Sequence, residues 1–174
     1  MHKIYDITFE HNELGSIYID LSITNDYKEL NVIGGFLLDT GATSTIINNN
    51  VIKILRLDNN IIKKNKGTIT LADGSKRDTS TIVLKTLRIG FINFSNFPVR
   101  VLLSNDVENN KNLNILGTDI LKYFDYTINM SNNNINLKLR NDYKSILQYD
   151  KTQRKNKEYY KDMIVHYIFG EDEF

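Results

Sequence analysis

The chain has no cysteine. That excludes disulfides, thiolate zinc sites and cysteine nucleophiles, and it fits a reducing compartment. Histidine is scarce as well. His2, His11 and His166 are scattered without paired spacing, which argues against a metal site. The single proline, Pro98, suggests an edge strand or a strand entry where it falls. An excess of one charge is also missing. The formal net charge is +1, so no global field draws the chain to nucleic acid or to an acidic membrane. No apolar run approaches the length of a bilayer span, and Met1 to Asp6 is not followed by the apolar core of a signal peptide. The expected location is cytoplasmic.

What is present is ordinary for a globular protein. The 174 residues suffice for one domain with a core and an appendage, and 41% hydrophobic with 25% charged residues fits a soluble fold. The richness in Asn, Ile and Lys reads as compositional bias without functional weight. Strand patterns dominate. Lys3 to Phe9 reads as a short strand and His11 to Gly15 as a turn. Ile17, Ile19, Leu21 and Ile23 alternate with polar residues, the period of a half-buried strand, and Asn25-Asp26 breaks it. Leu30 to Asp39 follows, with Gly34-Gly35 as a bulge or close approach. Asn48 to Asn50 can cap a short helix over Val51 to Leu55. Lys63 to Lys66 reads as a solvated basic connector.

Gly67 to Ala72 and Lys76 to Leu84 flank Asp73-Gly74, a strong hairpin signal. Thr86 to Ile89, a turn near Gly90 and a strand through Phe97 to Leu103 form another pair. A polar loop over Asn105 to Asn112 leads to a buried strand, Leu113 to Leu116. Thr118-Asp119 can cap a helix over Ile120 to Phe124. Tyr126 to Met130 and Ile135 to Leu139 make a last hairpin around Asn132 to Asn134. The texture then changes. Tyr160, Met163, Ile164, Tyr167 and Ile168 fall at helical spacing, with Gly170 as a stop. The expected organisation is a domain over residues 1–140 and a helical C-terminal extension over residues 141–174.

The organising stretch is Phe36-Leu37-Leu38-Asp39-Thr40-Gly41-Ala42-Thr43-Ser44-Thr45-Ile46-Ile47. An apolar strand runs into Asp-Thr-Gly, a small polar turn, and a second apolar run. Asp39 thus stands at the mouth of a core strand, a costly place for a carboxylate unless it works there. This pattern resembles the active-site loop of aspartic proteases, in particular the single-domain retropepsin-like branch. Leu71-Ala72-Asp73-Gly74-Ser75 resembles the flap tip of bacterial and cellular members. Asn114-Ile115-Leu116-Gly117-Thr118-Asp119-Ile120-Leu121 resembles their apolar-apolar-Gly segment and following helix. The motifs occur in family order and cover roughly Ile17 to Leu139. The implied fold is mainly β: a single-lobe acid-protease barrel with one or two short helices.

The resemblance also implies chemistry. The chain has one Asp-Thr-Gly, so the family's pair of carboxylates requires a homodimer in which Asp39 meets Asp39 of the second copy. Two such groups share one proton and titrate as a unit; the split carboxylate pair of aspartic proteases is a standard example. The ionised member takes a proton from water and the protonated member gives one to the scissile carbonyl, without metal, cofactor or covalent intermediate. By the same resemblance Thr40 bonds across the dimer axis, and Gly41 lets backbone approach carboxylate and substrate. Ala42 stands where pepsin-like lobes often carry a hydroxyl that favours ionisation, which implies activity nearer mildly acidic or neutral pH. Thr43 is placed to bond the substrate backbone. Ala72, Asp73, Gly74 and Ser75 would close over an extended peptide, and Ile115, Leu116 and Gly117 would line the floor. Thr118 departs from the retroviral Gly-Arg pattern, so an intersubunit arginine contact is not carried over. Asp119 reads as a helix-start residue. Two functions stay open: a homodimeric aspartic endopeptidase, or a catalytically silent peptide-binding or scaffold domain on the same fold.

Overall fold

Residues 4–24, 29–57, 61–71, 74–102, 114–154 and 161–167 are described by the computed structural model. Strand β1 (Tyr5–Thr8) and the short β2 (Glu10–His11) open the chain. Strands β3 (Ile17–Thr24) and β4 (Leu30–Leu38) pair antiparallel, as the alternation predicts. Their register shifts between Ile19 and Leu21, opposite Gly34-Gly35. Gly35 has φ 74° there, a conformation that a side chain would strain. The expected bulge is present, and it bends β4 so that its end enters the interior of the fold.

Strand β5 (Ile46–Ile47) and helix α1 (Asn49–Ile54) follow. Asn48 caps α1, its side chain accepting from the Val51 N–H at 3.0 Å. Strands β6 (Ile61–Thr70), β7 (Lys76–Ile89) and β8 (Ile92–Leu102) then run as two long hairpins. Strand β9 (Asn114–Leu116), helix α2 (Thr118–Leu121), and strands β10 (Phe124–Asn129) and β11 (Asn134–Leu139) complete the part expected from the motifs. Six strands close a ring: β8 pairs with β5, β5 with β9, β9 with β4, β4 with β3, β3 with β7, and β7 returns to β8. This is the expected barrel, and closure removes the sheet edges that would otherwise stay unpaired. A separate three-stranded sheet has the order β1-β11-β10.

The core runs through the ring. Phe94 is its aromatic centre, with Phe97, Tyr123 and Phe124 edge-on at 5.4, 5.6 and 6.0 Å between ring centroids. A smaller apolar cluster, Ile46, Leu102 and Ile115 with Ala42 and Ile69 against it, lies on the other face of the same strands.

Several local expectations change. The segment Lys63 to Lys66, expected as a connector, has strand backbone within β6 but falls in the register break between Ile62, opposite Thr81, and Gly67, opposite Thr79, so it is an irregular insertion in the strand. The segments expected to be separate at Lys76–Leu84 and Thr86–Ile89 are one strand, β7. Pro98 lies inside β8, at a point where, among the described residues, the edge of the strand on the β5 side is locally unpaired, so the expected edge setting is present there. Arg100 donates its N–H to Thr45 on the β5 side, and the missing N–H of Pro98 would point the same way. There β12 (Ile164–Tyr167) pairs with residues 92–95 and β5 with Arg100 and Val101, so no ladder bond is lost. The loop expected over Asn105 to Asn112, and Leu113, lie outside the described residues, as do Asn25 and Asp26.

The extension does contain a helix, but not where the spacing placed it. Helix α3 covers Tyr143–Gln153, whereas Ile164 to Tyr167, expected to be helical, form strand β12 on the edge of β8. Tyr160, Ile168 and Gly170 lie outside the described residues. Met163 and Val165 are buried while Ile164 is 49% exposed, a period of two imposed by the waiting edge of β8. Helix α3 is anchored through Asp150, buried at 7% exposure, which ion-pairs with Lys122 and accepts from Tyr123 Oη at 2.9 Å. No helix among the described residues is long and apolar enough to cross a membrane.

Burial, then the adjacent Asp150 carboxylate, pushes the Tyr123 phenol well above its ordinary value. The folded state therefore holds the neutral phenol. Its contribution to stability is complete below the ordinary phenol pKa of about 10 and is lost as pH rises beyond it. Tyr123→Phe is expected to make the alkaline fall in stability shallower by up to one proton, read from urea midpoints across that window. Asp150→Ala, which leaves the phenol and Lys122 without their acceptor, is expected to cost about 1–3 kcal/mol in the same assay.

Candidate active site

The loop after β4 is held at its start, middle and end by the segment β9–α2. Strands β4 and β9 run parallel, with Leu37 beside Ile115 and Leu38 beside Leu116. Asp39 N–H donates to the Leu116 carbonyl at 3.1 Å. The Ala42 carbonyl accepts from Thr118 twice, from its N–H at 2.8 Å and its hydroxyl at 3.0 Å. Thr45 is bound by Asp119, which accepts from the Thr45 N–H at 2.9 and 2.8 Å and from its hydroxyl at 2.7 Å. The Thr45 hydroxyl in turn accepts from Gly117 N–H at 3.1 Å. Only glycine fits at 117, because a Cβ there would lie 2.6 Å from the backbone carbon of Ser44.

This frame presents Asp39 at a cavity of about 650 Å³, lined by Leu37, Asp39, Gly41, Ala42, Thr43, Ser44, Ile46, Ile69, Thr70, Leu71 and Ile115. The walls are largely aliphatic, with Thr43, Ser44 and Thr70 among them, and Asp39 is the one carboxylate among the described lining residues. Its Oδ1 accepts from Gly41 N–H at 2.8 Å, which fixes the side-chain rotamer while leaving Oδ2 without a bond among the described residues. Thr40 is exposed, and its hydroxyl has no partner among the described residues.

The expected site residues separate into groups. Asp39, Gly41, Ala42, Thr43 and Ile115 line one cavity, with Thr40 beside it on the loop. Leu116 alternates to the opposite face, is fully buried in the main core, and contributes its carbonyl to Asp39. Gly117 packs on Ser44 rather than on the cavity. Of the hairpin tip, Ala72 and Asp73 lie outside the described residues. Gly74 has φ 80° and donates to the Leu71 carbonyl at 2.9 Å, and Leu71 donates to the Ser75 carbonyl at 2.9 Å, a tight turn. Ile69 and Thr70 at the end of β6, and Leu71 after them, line the same cavity. Ser75 is not among the lining residues.

Residues to which the motifs gave no site role complete the site. Ile46 and Ile69 form walls, and Thr45 with Asp119 forms the clamp. The alternation from Ile46 to Ile47 was the available signal for the wall. The clamp bridges 74 positions, so no local pattern could reveal it. Helix α2 begins with Gly117 as its cap residue and spans Thr118–Leu121, so Thr118 and Asp119 lie within the helix rather than capping it. Both side chains are turned to the loop instead. Among the described residues no three His, Asp or Glu side chains converge as a metal site.

A closed single-lobe barrel with this loop at its mouth is the architecture of the retropepsin-like class. Residues 32–123, more than half of the chain, match the model of the family described as "gag-polyprotein putative aspartyl protease", and the chain belongs to that family. Among solved structures it is similar to the crystal structure of a retropepsin-like aspartic protease from Rickettsia conorii. The TM-score is 0.54 at 20% sequence identity, over 80% of this chain and 94% of that one. At that identity the likeness speaks for the fold. No curated protein matches in sequence. The family and fold support a peptidase.

Burial raises the Asp119 carboxyl above its ordinary value, while the Thr45 bonds and the Lys122 charge pull it back. The folded state thus binds that proton more tightly than the unfolded chain. The resulting stability is present below the ordinary carboxylate pKa and is lost as pH rises through the folded value. Asp119→Asn keeps an oxygen for Thr45 and removes the buried charge. It is expected to flatten the change in urea midpoint between about pH 4 and about pH 7. Asp119→Ala orphans the Thr45 N–H and is expected to cost about 1–3 kcal/mol. Gly117→Ala forces backbone apart at Ser44 and is expected to destabilise by about 1–3 kcal/mol, with the same readout.

Proposed function

We propose that this chain is an aspartic endopeptidase that works as a homodimer, with residues 1–140 as its protease domain and residues 141–174 as an extension docked on that domain. The observation that carries this reading is the placement of Asp39. Among the described residues that line the largely aliphatic cavity it is the one carboxylate, oriented by Gly41 N–H and mounted on a loop fixed at three points. One carboxylate cannot act as both general base and general acid at the same moment. A second copy brings its own Asp39 across a two-fold axis and completes the pair. The two carboxylates hold one proton between them. The ionised one draws a proton from a water lying between them as that water attacks the scissile carbonyl carbon. The protonated one transfers its proton to the carbonyl oxygen, and a tetrahedral diol forms. Proton return to the amine nitrogen then releases the two products.

The neighbours support these steps. The free hydroxyl of Thr40 suits a bond to the matching loop of the second copy. Gly41 admits substrate backbone close to Asp39, and Thr43 on the cavity rim offers a hydroxyl to it. The β6–β7 hairpin, with Gly74 and Ser75 in its turn, acts as the flap that covers an extended peptide and excludes water. Ile115, with Ile46 and Ile69, gives the apolar surface that the peptide's side chains fill.

The test is cleavage of a diverse peptide library between mildly acidic and neutral pH, with Asp39→Asn alongside and sedimentation to read the oligomeric state. The expected outcome is cleavage by a dimeric native chain that falls by about 1,000-fold or more in the variant, the scale of losing a group that acts in the transition state. Equal residual cleavage in both, or a monomer at every concentration, would count against the proposal. A clean dimer that binds peptides without cutting them would favour the silent binding domain.

A further inference from the structure

The cavity beside Asp39 is largely aliphatic, but the sheet face that walls it also carries guanidinium groups. Directly paired residues of neighbouring strands project from the same face of a sheet. Ile46, a cavity wall, is paired with Arg100 of β8, and Ile69, another wall, is paired with Arg77 of β7. Both arginines therefore stand on the cavity's own face, each about 5 Å in backbone spacing from an apolar wall residue.

Arg100 has the clearer setting. It is half-buried, and its Nη1 donates to Thr79 Oγ1 at 3.1 Å. Thr79, itself fully buried, donates a hydrogen bond from its own hydroxyl to the Gly67 carbonyl at 3.1 Å. Gly67 leaves open the space that the guanidinium occupies, since a Cβ there would lie 3.1 Å from Nη1. The side chain is thus positioned from two strands. A guanidinium has five N–H donors, and one of them is engaged by another side chain here. Among the described residues the ion pairs join Lys122 to Asp150 and Arg140 to Asp142, and none involves Arg100. Asp119, which meets the neighbouring Thr45, is already occupied by its N–H and hydroxyl. A positioned, partly desolvated guanidinium without an anion is suited to receive one, and its planar fork fits a carboxylate.

We infer that Arg100 is a specificity-determining residue, which receives a side-chain carboxylate of the bound peptide two residues away from the peptide residue that fills the apolar cavity. In an extended peptide, alternate side chains share a face and recur about every 6.6 Å. The step of about 5 Å from Ile46 to the paired Arg100 falls short of that repeat by less than the length of an arginine side chain, so the guanidinium can reach the next side chain on the shared face. The placement of the peptide rests on the endopeptidase reading. The contact is one of binding, however, and holds whether or not the peptide is cut.

The test uses the full chain carrying Asp39→Asn, which binds peptides without turnover, and fluorescent peptides with a central apolar residue and Glu, Gln or Lys two residues to either side. The Glu peptide is expected to bind about 10- to 100-fold more tightly than the Gln peptide, the range for hydrogen bonds to a charged group. Arg100→Gln erases that ratio, and Arg100→Glu shifts the preference to the Lys peptide, both variants being checked for native circular dichroism. If either fails to fold, Arg100→Lys, which keeps the charge without the fork, is expected to retain a reduced Glu preference. Peptides that end at the same residue as free acid or amide separate a side-chain carboxylate from a chain terminus; a preference for the free acid alone overturns the assignment. Equal binding of Glu and Gln peptides overturns it too. Library cleavage by the native chain without a Glu preference would leave the endopeptidase reading standing and remove this one. Glu-dependent binding without any cleavage would do the reverse.

Discussion

The close approach of Gly117 to the backbone of Ser44 is the constraint on which the site depends. Two chain segments more than 70 residues apart pass so near that no side chain fits between them. That proximity lets one short piece of chain, β9 into α2, bind the Asp-Thr-Gly loop at Asp39, Ala42 and Thr45 together. A loop with small residues and few contacts of its own is otherwise mobile. Here its backbone groups are satisfied by rigid elements, so the carboxylate is presented in one orientation.

The barrel supplies those rigid elements through closure. The β4 bulge turns the strand inward, β9 runs parallel beside it, and β5 leaves on the far side to join β8. The same strands then have two apolar faces. One carries the aromatic core around Phe94. The other carries the small cluster of Ile46, Leu102 and Ile115, of which Ile46 and Ile115 line the cavity. A single set of strands therefore stabilises the fold on one side and shapes the binding surface on the other.

The extension is coupled to this frame from behind. Lys122 and Tyr123 directly follow the helix that clamps Thr45, and both engage Asp150 of α3. Strand β12 continues the sheet beyond β8 and buries Met163 and Val165 in the main core. The C-terminal segment thus bears on the far end of α2 while the loop bears on its near end. This gives a direct physical connection between the extension and the candidate site, through one short helix.

Much of this was legible in the amino-acid order. Alternation marked β3, the Gly34-Gly35 pair marked the bulge, and the three motifs marked the loop, the hairpin and the Gly117 segment. Each of these depends on residues within a few positions of one another, and local chemistry is enough to specify them. What the tertiary structure decided depends on partners far away in the chain. Ile164 to Tyr167 became a strand because β8 offered an open edge, and helical spacing lost to that pairing. Asp119 left helix capping for Thr45, and Leu116 turned from the cavity floor to the core by the alternation of a strand whose face was set only by packing. Arg100 acquired a place beside the cavity because β5 and β8 pair in one register. A side chain's residue type is written in the sequence, but the face it occupies is fixed only when the barrel closes.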